Sequence, residues 1–532
     1  TTHHQEGEGD QELIHNVSVK FTNQGGSRFD GNGGSALRGN QQARRDAPTG
    51  LIVAALLLVM LLSALDQTIV STALPTIVGE LGGLDQLSWV VTAYLLSSTV
   101  VLPLYGKLGD LYGRKIVLQA AIVLFLAGSA LCGVAQDMTQ LIVLRALQGL
   151  GGGGLMVVTM AAIGDLVPPD RRARYQGMFG GVYGLATIVG PLLGGFLVEH
   201  LSWRWIFTIN LPLGFLALAV IGVAFRPHTA HVKHRIDYMG AAFLATALTC
   251  VILFTSEGGS LLPWTSPQLW MTLVLGVVAI GGFIYEERLA AEPIMPLELF
   301  RHRTFVLVSL IGFVVGIALF GSVTFIPLYL QVVKGSTPSQ AGMQLLPMMG
   351  GMLVTSVVCG RLISRLGSYR MFPILGTLTG GVAMALLSTL TLDTPLHTMY
   401  AYMALLGIGL GMVMPVLTLA VQNTVEFRHM GVATSGATLF RSIGGSLGVA
   451  AFGALFSHGL QSRVTAALPA GTELPPALGP AVVQQLPDAV RDAYLHAFAG
   501  SLHVVYLAAA TVIAIAFVLA WFVEDAPLRK HN

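Results

Sequence analysis

The sequence predicts an all-α polytopic membrane protein, and three observations predict it. Of 532 residues, 54% are hydrophobic and only 11% are charged, whereas a soluble chain is nearer about a quarter charged. Apolar runs of roughly 20 residues, enough to cross about 30 Å of hydrocarbon as a helix, recur between charged, proline-containing or polar breaks; fourteen can be counted along the chain. Lys and Arg gather on alternate sides of successive runs.

Residues 1 to about 48 are polar and Gly-rich and end in Arg44-Arg45-Asp46, the composition of a disordered tail. They show no basic stretch followed by a short apolar core and a small-residue cleavage site, so the first apolar run is expected to direct insertion itself. The runs centre near residues 62, 96, 125, 151, 187 and 214, then near 248 and 276, then near 317, 351, 381, 409, 446 and 511. The seventh and eighth are the weakest, separated by Glu257-Gly258-Gly259-Ser260 and Pro263 to Pro267. Asp237 reads as the cap that opens the seventh. The stretch from about 461 to 498 is the longest expected outer loop, with Asp488 as a cap for the last span.

With the amino end in the cytoplasm, Lys107, Arg114, Lys115, Arg172, Arg226, Arg288, Arg301, Arg361, Arg370 and Arg428 all fall inside, and only Arg204, Lys334, Arg463 and Arg491 fall outside. The positive-inside rule then places both termini in the cytoplasm and requires an even number of spans. The net charge of +2 suggests no nucleic-acid surface. Cys132, Cys250 and Cys359 are isolated inside apolar runs, which suggests small buried hydrophobes rather than metal or redox sites.

The chain also repeats itself. Gly106-Lys107-Leu108-Gly109-Asp110-Leu111-Tyr112-Gly113-Arg114-Lys115, after the second span, is echoed by Gly360-Arg361-Leu362-Ile363-Ser364-Arg365-Leu366-Gly367 after the tenth. Gly149-Leu150-Gly151-Gly152-Gly153 in the fourth is echoed by Gly407-Ile408-Gly409-Leu410-Gly411 in the twelfth. This predicts a six-helix bundle over 49–226, two inserted helices and a linker over 227–290, a second six-helix bundle over 291–525 and a cytoplasmic tail over 526–532. Two related halves around a midplane site suit a transporter, because rocking one half on the other exposes the site alternately.

Two mid-span charges carry chemistry. Asp66 lies roughly 22 Å into a helix that starts inside, and Arg145 about six residues into one that starts outside, so the two share a level. Pairing favours the carboxylate and burial disfavours it, which suits a proton carrier, Asp66, tuned by Arg145. A static pair that only fixes helix packing is the alternative. Arg441 is a further buried cation, a candidate to meet substrate, Asp66 or backbone carbonyls. Gly149, Gly153, Gly190 and Gly194 permit close helix approach, and Pro191 marks a point of bending. No nucleotide-binding loop or clustered metal-ligand set is visible.

Five stretches together resemble the fourteen-helix drug:proton antiporter branch of the major facilitator superfamily, over nearly all of residues 50 to 525. They are Leu65-Asp66-Gln67-Thr68 through Pro75, Gly106 to Lys115, Arg145-Ala146-Leu147-Gln148-Gly149 to Gly153, Gly190-Pro191-Leu192-Leu193-Gly194-Gly195, and Trp203-Arg204-Trp205 with Asn210 and Pro212. The resemblance implies a major facilitator fold of two six-helix bundles plus two inserted helices. It implies that Gly106, Asp110, Gly113 and Arg114, with Asp165 as ionic partner, latch the halves, and that Ser364 makes the latch one-sided. It further implies a non-enzymatic, monomeric exporter in a bacterial cytoplasmic membrane, without cofactor and driven by the proton gradient. Its cargo would be small hydrophobic or amphipathic, often cationic, compounds; a dedicated metabolite or lipid exporter is the alternative.

Overall fold

The computed structural model describes residues 49–81, 87–167, 169–225, 237–258, 262–467, 483 and 485–525. The predicted tails over 1–48 and 526–532 lie outside the described residues, as does most of the linker over 226–236. Every regular element among the described residues is helical. A backbone in hydrocarbon has no water to bond, and a helix satisfies its polar groups within itself.

The first half comprises α1 (Thr49–Leu81), α2 (Leu87–Val100), α3 (Leu102–Tyr112), α4 (Arg114–Cys132), α5 (Met138–Leu166), α6 (Pro169–His200) and α7 (Asn210–Ala224). The inserted pair is α8 (Tyr238–Glu257) and α9 (Pro267–Leu289). The second half comprises α10 (Arg303–Val323), α11 (Phe325–Val332), α12 (Leu346–Leu366), α13 (Met371–Ser388), α14 (Leu396–Thr424), α15 (Met430–Ala467) and α16 (Asp488–Ala520). Local chemistry sets several starts and stops. Asp137 accepts the Gln140 N–H at the start of α5, and Asp237 accepts the Gly240 N–H at 2.7 Å to open α8, as its position suggested. Gly367, at φ 72°, closes α12 in the left-handed conformation that glycine adopts freely.

The second predicted span is broken: α2 and α3 meet at Val101 with a bend of 40°, just ahead of Pro103, which has no N–H to continue the ladder. Twelve helices, or thirteen with this bent pair taken as one span, are long and apolar enough to cross a membrane among the described residues. The predicted fifth span coincides with the 32-residue α6, several of whose side chains lie outside the described residues. Length and hydropathy therefore do not reproduce the count of fourteen.

The expected outer loop is shorter than the sequence suggested, because α15 continues to Ala467 and α16 already begins at Asp488. Ala, Gln, Arg and Leu near both ends are good helix formers and carry the helices onward once hydrocarbon ends. Pro487, not Asp488, holds the cap position; Asp488 pairs with Arg491 at 2.9 Å instead.

Helix pairings recur between the halves. In the first, α1 packs on α6 and α7, and α5 on α2 and α4; in the second, α10 packs on α15 and α16, and α14 on α12 and α13. Across the halves α3 meets α15 and α6 meets α12, two contacts related by the same correspondence. The inserted α8 lies on α9 and touches α2 and α15, one helix from each half.

Candidate functional site

Asp66 and Arg145, which helix depth places at one level, meet. Arg145 Nη1 donates to Asp66 Oδ2 at 2.7 Å, with the two side chains 1% and 0% exposed. Two neutral side chains complete the shell: Gln148 Nε2 donates to Asp66 Oδ1 at 2.8 Å, and Asn210 Nδ2 to the same oxygen at 3.0 Å. Ser129 Oγ links both amides, accepting from Gln148 at 2.6 Å and Asn210 at 3.2 Å. The guanidinium also donates to the Val90 carbonyl at 3.3 Å and lies 4.3 Å from the Tyr94 ring centroid, a cation–π contact. Asp66 is thus ringed by side-chain donors from α5 and α7, with both of its oxygens bonded.

Sequence reasoning missed Gln148, Asn210, Ser129 and Tyr94 as members of the site. Gln148 carries the available signal, since it stands three residues after Arg145 and so shares its helix face.

Glycines seat α5 against its neighbours. A Cβ at Gly149 would overlap Ser97 Oγ and the Tyr94 carbonyl, one at Gly152 the Tyr94 hydroxyl, and one at Gly153 the Ser98 carbonyl. These positions let α2 approach closely enough for Tyr94 to reach Arg145. Gly190 performs the same service between α6 and α1, where a Cβ would collide with Thr68 Oγ1. Gly194 is buried and α6 remains helical through position 191, although the Pro191 side chain lies outside the described residues.

A second charged cluster sits at the far end of the first half. Arg114 pairs with Asp110 in a very short contact and donates through Nε to Asp165 Oδ2 at 2.8 Å. Asp110 reaches across to the second half, accepting from the N–H groups of Gly431 at 3.0 Å and Val432 at 2.9 Å. These are unpaired donors in the first turn of α15, where the helix dipole also favours an anion. Gly106 allows the approach, because a Cβ there would overlap Ser435 Oγ and lie 2.7 Å from the Gly431 carbonyl. Gly113, at φ 86° and ψ 145°, makes the turn from α3 into α4. The second copy builds no such bridge: Ser364 Oγ turns back to its own helix, donating to the Gly360 carbonyl at 2.9 Å.

At the opposite end, beyond the apolar part of α1, Trp203 Nε1 donates to Glu80 Oε2 at 2.7 Å and Arg204 pairs with the other oxygen. The hydrogen bonds from Arg204 and then Trp203 hold the Glu80 carboxyl below its ordinary value of 4.5. Arg441 makes no ion pair with Asp66 among the described residues; its Nη1 lies 3.6 Å from Met414 Sδ. Cys132, Cys250 and Cys359 are free and buried.

A pair of matching helical bundles, joined at one end by a polar bridge and holding a buried acid in one of them, is the arrangement of a membrane transporter. The chain belongs to the Major Facilitator Superfamily, whose family model matches residues 56–449. It is 43% identical over 421 residues to the multidrug transporter protein MdtP of Bacillus subtilis, covering 79% of this chain and 76% of that protein. It is 35% identical over 497 residues to multidrug resistance protein 3 of the same organism, covering 91% and 97%. Among solved structures, the proton:xylose symporter XylE superposes with a TM-score of 0.59 at 13% identity, over 91% of this chain and 97% of that one, a likeness of fold alone.

Proposed function

We propose that the protein is a proton-coupled antiporter that exports small hydrophobic or amphipathic compounds across a bacterial cytoplasmic membrane by alternating access, as a monomer with both termini in the cytoplasm. The observation that carries this reading is the Asp66 shell, a titratable group buried in one half and held by donors from two other helices. The names of the two Bacillus relatives support the cargo class.

The contacts support the following cycle. With Asp110 on the α15 N-terminus, the halves are closed at the end that the basic residues assign to the cytoplasm. Protonation of Asp66 from outside removes its charge, so that Arg145 loses its partner and the shell relaxes. The halves then rock, the Asp110 bridge parts, and the proton leaves to the cytoplasm as Arg145 and the amides reclaim the carboxylate. No cofactor enters this scheme, and Gly149, Gly153 and Gly190 supply the close seams on which α5 and α6 move.

The test is Asp66→Asn in inverted vesicles loaded with a fluorescent amphiphile. Uptake driven by a pH gradient is expected to vanish while exchange of labelled for unlabelled cargo persists. Undiminished gradient-driven uptake in that variant would sink the reading.

A further inference from the structure

The two guanidinium groups placed well inside the spans are treated differently. Arg145 has a carboxylate, an amide and two aromatic faces around it. Arg441 has no carboxylate within ion-pair distance among the described residues, and its hydrogen-bond contact is the weak acceptor Met414 Sδ at 3.6 Å. An ionised side chain at this depth is costly unless a counter-charge or water meets it.

Its direction is fixed by packing. On one side, a Cβ at Gly316 of α10 would overlap the Arg441 carbonyl, and one at Gly312 would lie 3.7 Å from the Arg441 Cβ. From this seam the side chain reaches α14, where its Nη1 meets Met414 Sδ. In the other half, Tyr183 Oη of α6 donates to Gln67 Oε1 at 3.3 Å, and Gln67 follows Asp66 on α1. Counted from the helix starts at 1.5 Å per residue, Arg441 lies about 16 Å into α15, Tyr183 about 21 Å into α6 and Gln67 about 27 Å into α1, so Arg441 stands nearer the start of its helix than the Tyr183–Gln67 pair does of theirs.

We propose that Arg441 is the group that recognises cargo, and that the cargo is an amphipathic organic acid whose anionic group docks on its guanidinium while the apolar part lies along Met414. This assignment rests on the exporter reading above and narrows it. A fixed guanidinium without a counter-charge repels cations and is matched by a carboxylate or sulfonate, to which it can donate two parallel hydrogen bonds. The energetics agree, because exchanging one organic anion outward for one proton inward moves two elementary charges down an inside-negative potential. A monovalent cation exchanged one for one moves none.

The experiment is equilibrium binding of dansyl-aminooctanoate and of its uncharged carboxamide to the purified full-length protein in lipid nanodiscs, followed by dansyl fluorescence. In the unaltered protein the carboxylate is expected to bind about tenfold or more tightly than the amide. In Arg441→Gln the ratio should fall to about one with amide affinity unchanged, and Arg441→Lys should restore part of it. A ratio near one in the unaltered protein, lack of saturable carboxylate binding, or a ratio that survives Arg441→Gln overturns the proposal. The first two outcomes need no variant to fold. Gradient-driven uptake of the carboxylate into inverted vesicles is measured in parallel; its failure beside an intact binding ratio overturns the exporter reading and leaves the recognition assignment standing.

Discussion

Replacing Asp110 by Asn tests whether the contact at the α15 N-terminus holds the halves closed. The carboxylate accepts from Gly431 and Val432 N–H and from Arg114. An Asn of the same shape keeps one acceptor oxygen and puts an NH₂ where one of the donors points. Arg114 keeps its bond to Asp165 at 2.8 Å, so the loss falls mainly on the bridge between the halves. A hydrogen bond to a charged group contributes about 1.5–3 kcal/mol, and losing one fully with weakening of a second gives about 2–4 kcal/mol. At 1.4 kcal/mol per tenfold, the population opened at this end should rise by about 30- to 700-fold. Val432, 0% exposed in the closed bridge, is the reporter. As Val432→Cys in inverted vesicles, it should react with a membrane-impermeant maleimide far faster when Asp110→Asn is added. The native cysteines are buried and give a low background. An unchanged labelling rate would refute the assignment of Asp110 as the closing contact.

Gly152→Ala drives a methyl into the Tyr94 hydroxyl and should cost about 1–3 kcal/mol by overpacking, read as a lower midpoint in a thiol-dye melt as the buried cysteines become exposed. Gly113→Ala forces a side chain onto φ 86°, ψ 145°, a region nearly restricted to glycine, and should cost about 1–3 kcal/mol in the same melt. Glu80, lying beyond the apolar span, is held below its ordinary value of 4.5, so its contribution is complete above that value and is lost as pH falls through the lower folded value. Unfolding profiles should therefore be insensitive to this group near neutrality and decline below about pH 4.5, and Glu80→Gln should flatten that decline; identical acid profiles for the two proteins would count against the Arg204 and Trp203 contacts.

Depth along a helix can be read from sequence, but the direction a side chain takes around it cannot. Asp66 and Arg145 were placed at one level by counting residues at a fixed rise, and they meet at 2.7 Å. The Asp110 cluster was legible only through its resemblance, since nothing local to Asp110 points to the N–H groups of Gly431 and Val432, 321 and 322 residues away. Gln148 and Asn210 were hidden because counting apolar runs tolerates isolated amides. The break at Val101 and the overlong α15 escaped for another reason: hydropathy reports what hydrocarbon accepts, not where a backbone ladder stops.

That break bears on coupling. Arg145 touches α2 twice, through the Val90 carbonyl and the Tyr94 ring. Beyond the 40° bend the same span continues as α3, which carries Gly106 and Asp110 to α15. Under the proposed cycle, a change in the Asp66 charge would alter how Arg145 holds α2, at one end of a bent lever whose other end is the closing contact. A double-mutant cycle across Asp66→Asn and Asp110→Asn, read as labelling at Val432→Cys, measures this link. Independent sites more than about 7–10 Å apart add within about 0.3–0.5 kcal/mol. Coupling through the lever predicts that the second change opens the bridge by less than it does alone, with an interaction above about 0.5 kcal/mol. Strict additivity would mean that the acid and the latch report to the rocking motion separately, and that α2 and α3 move as two helices rather than one.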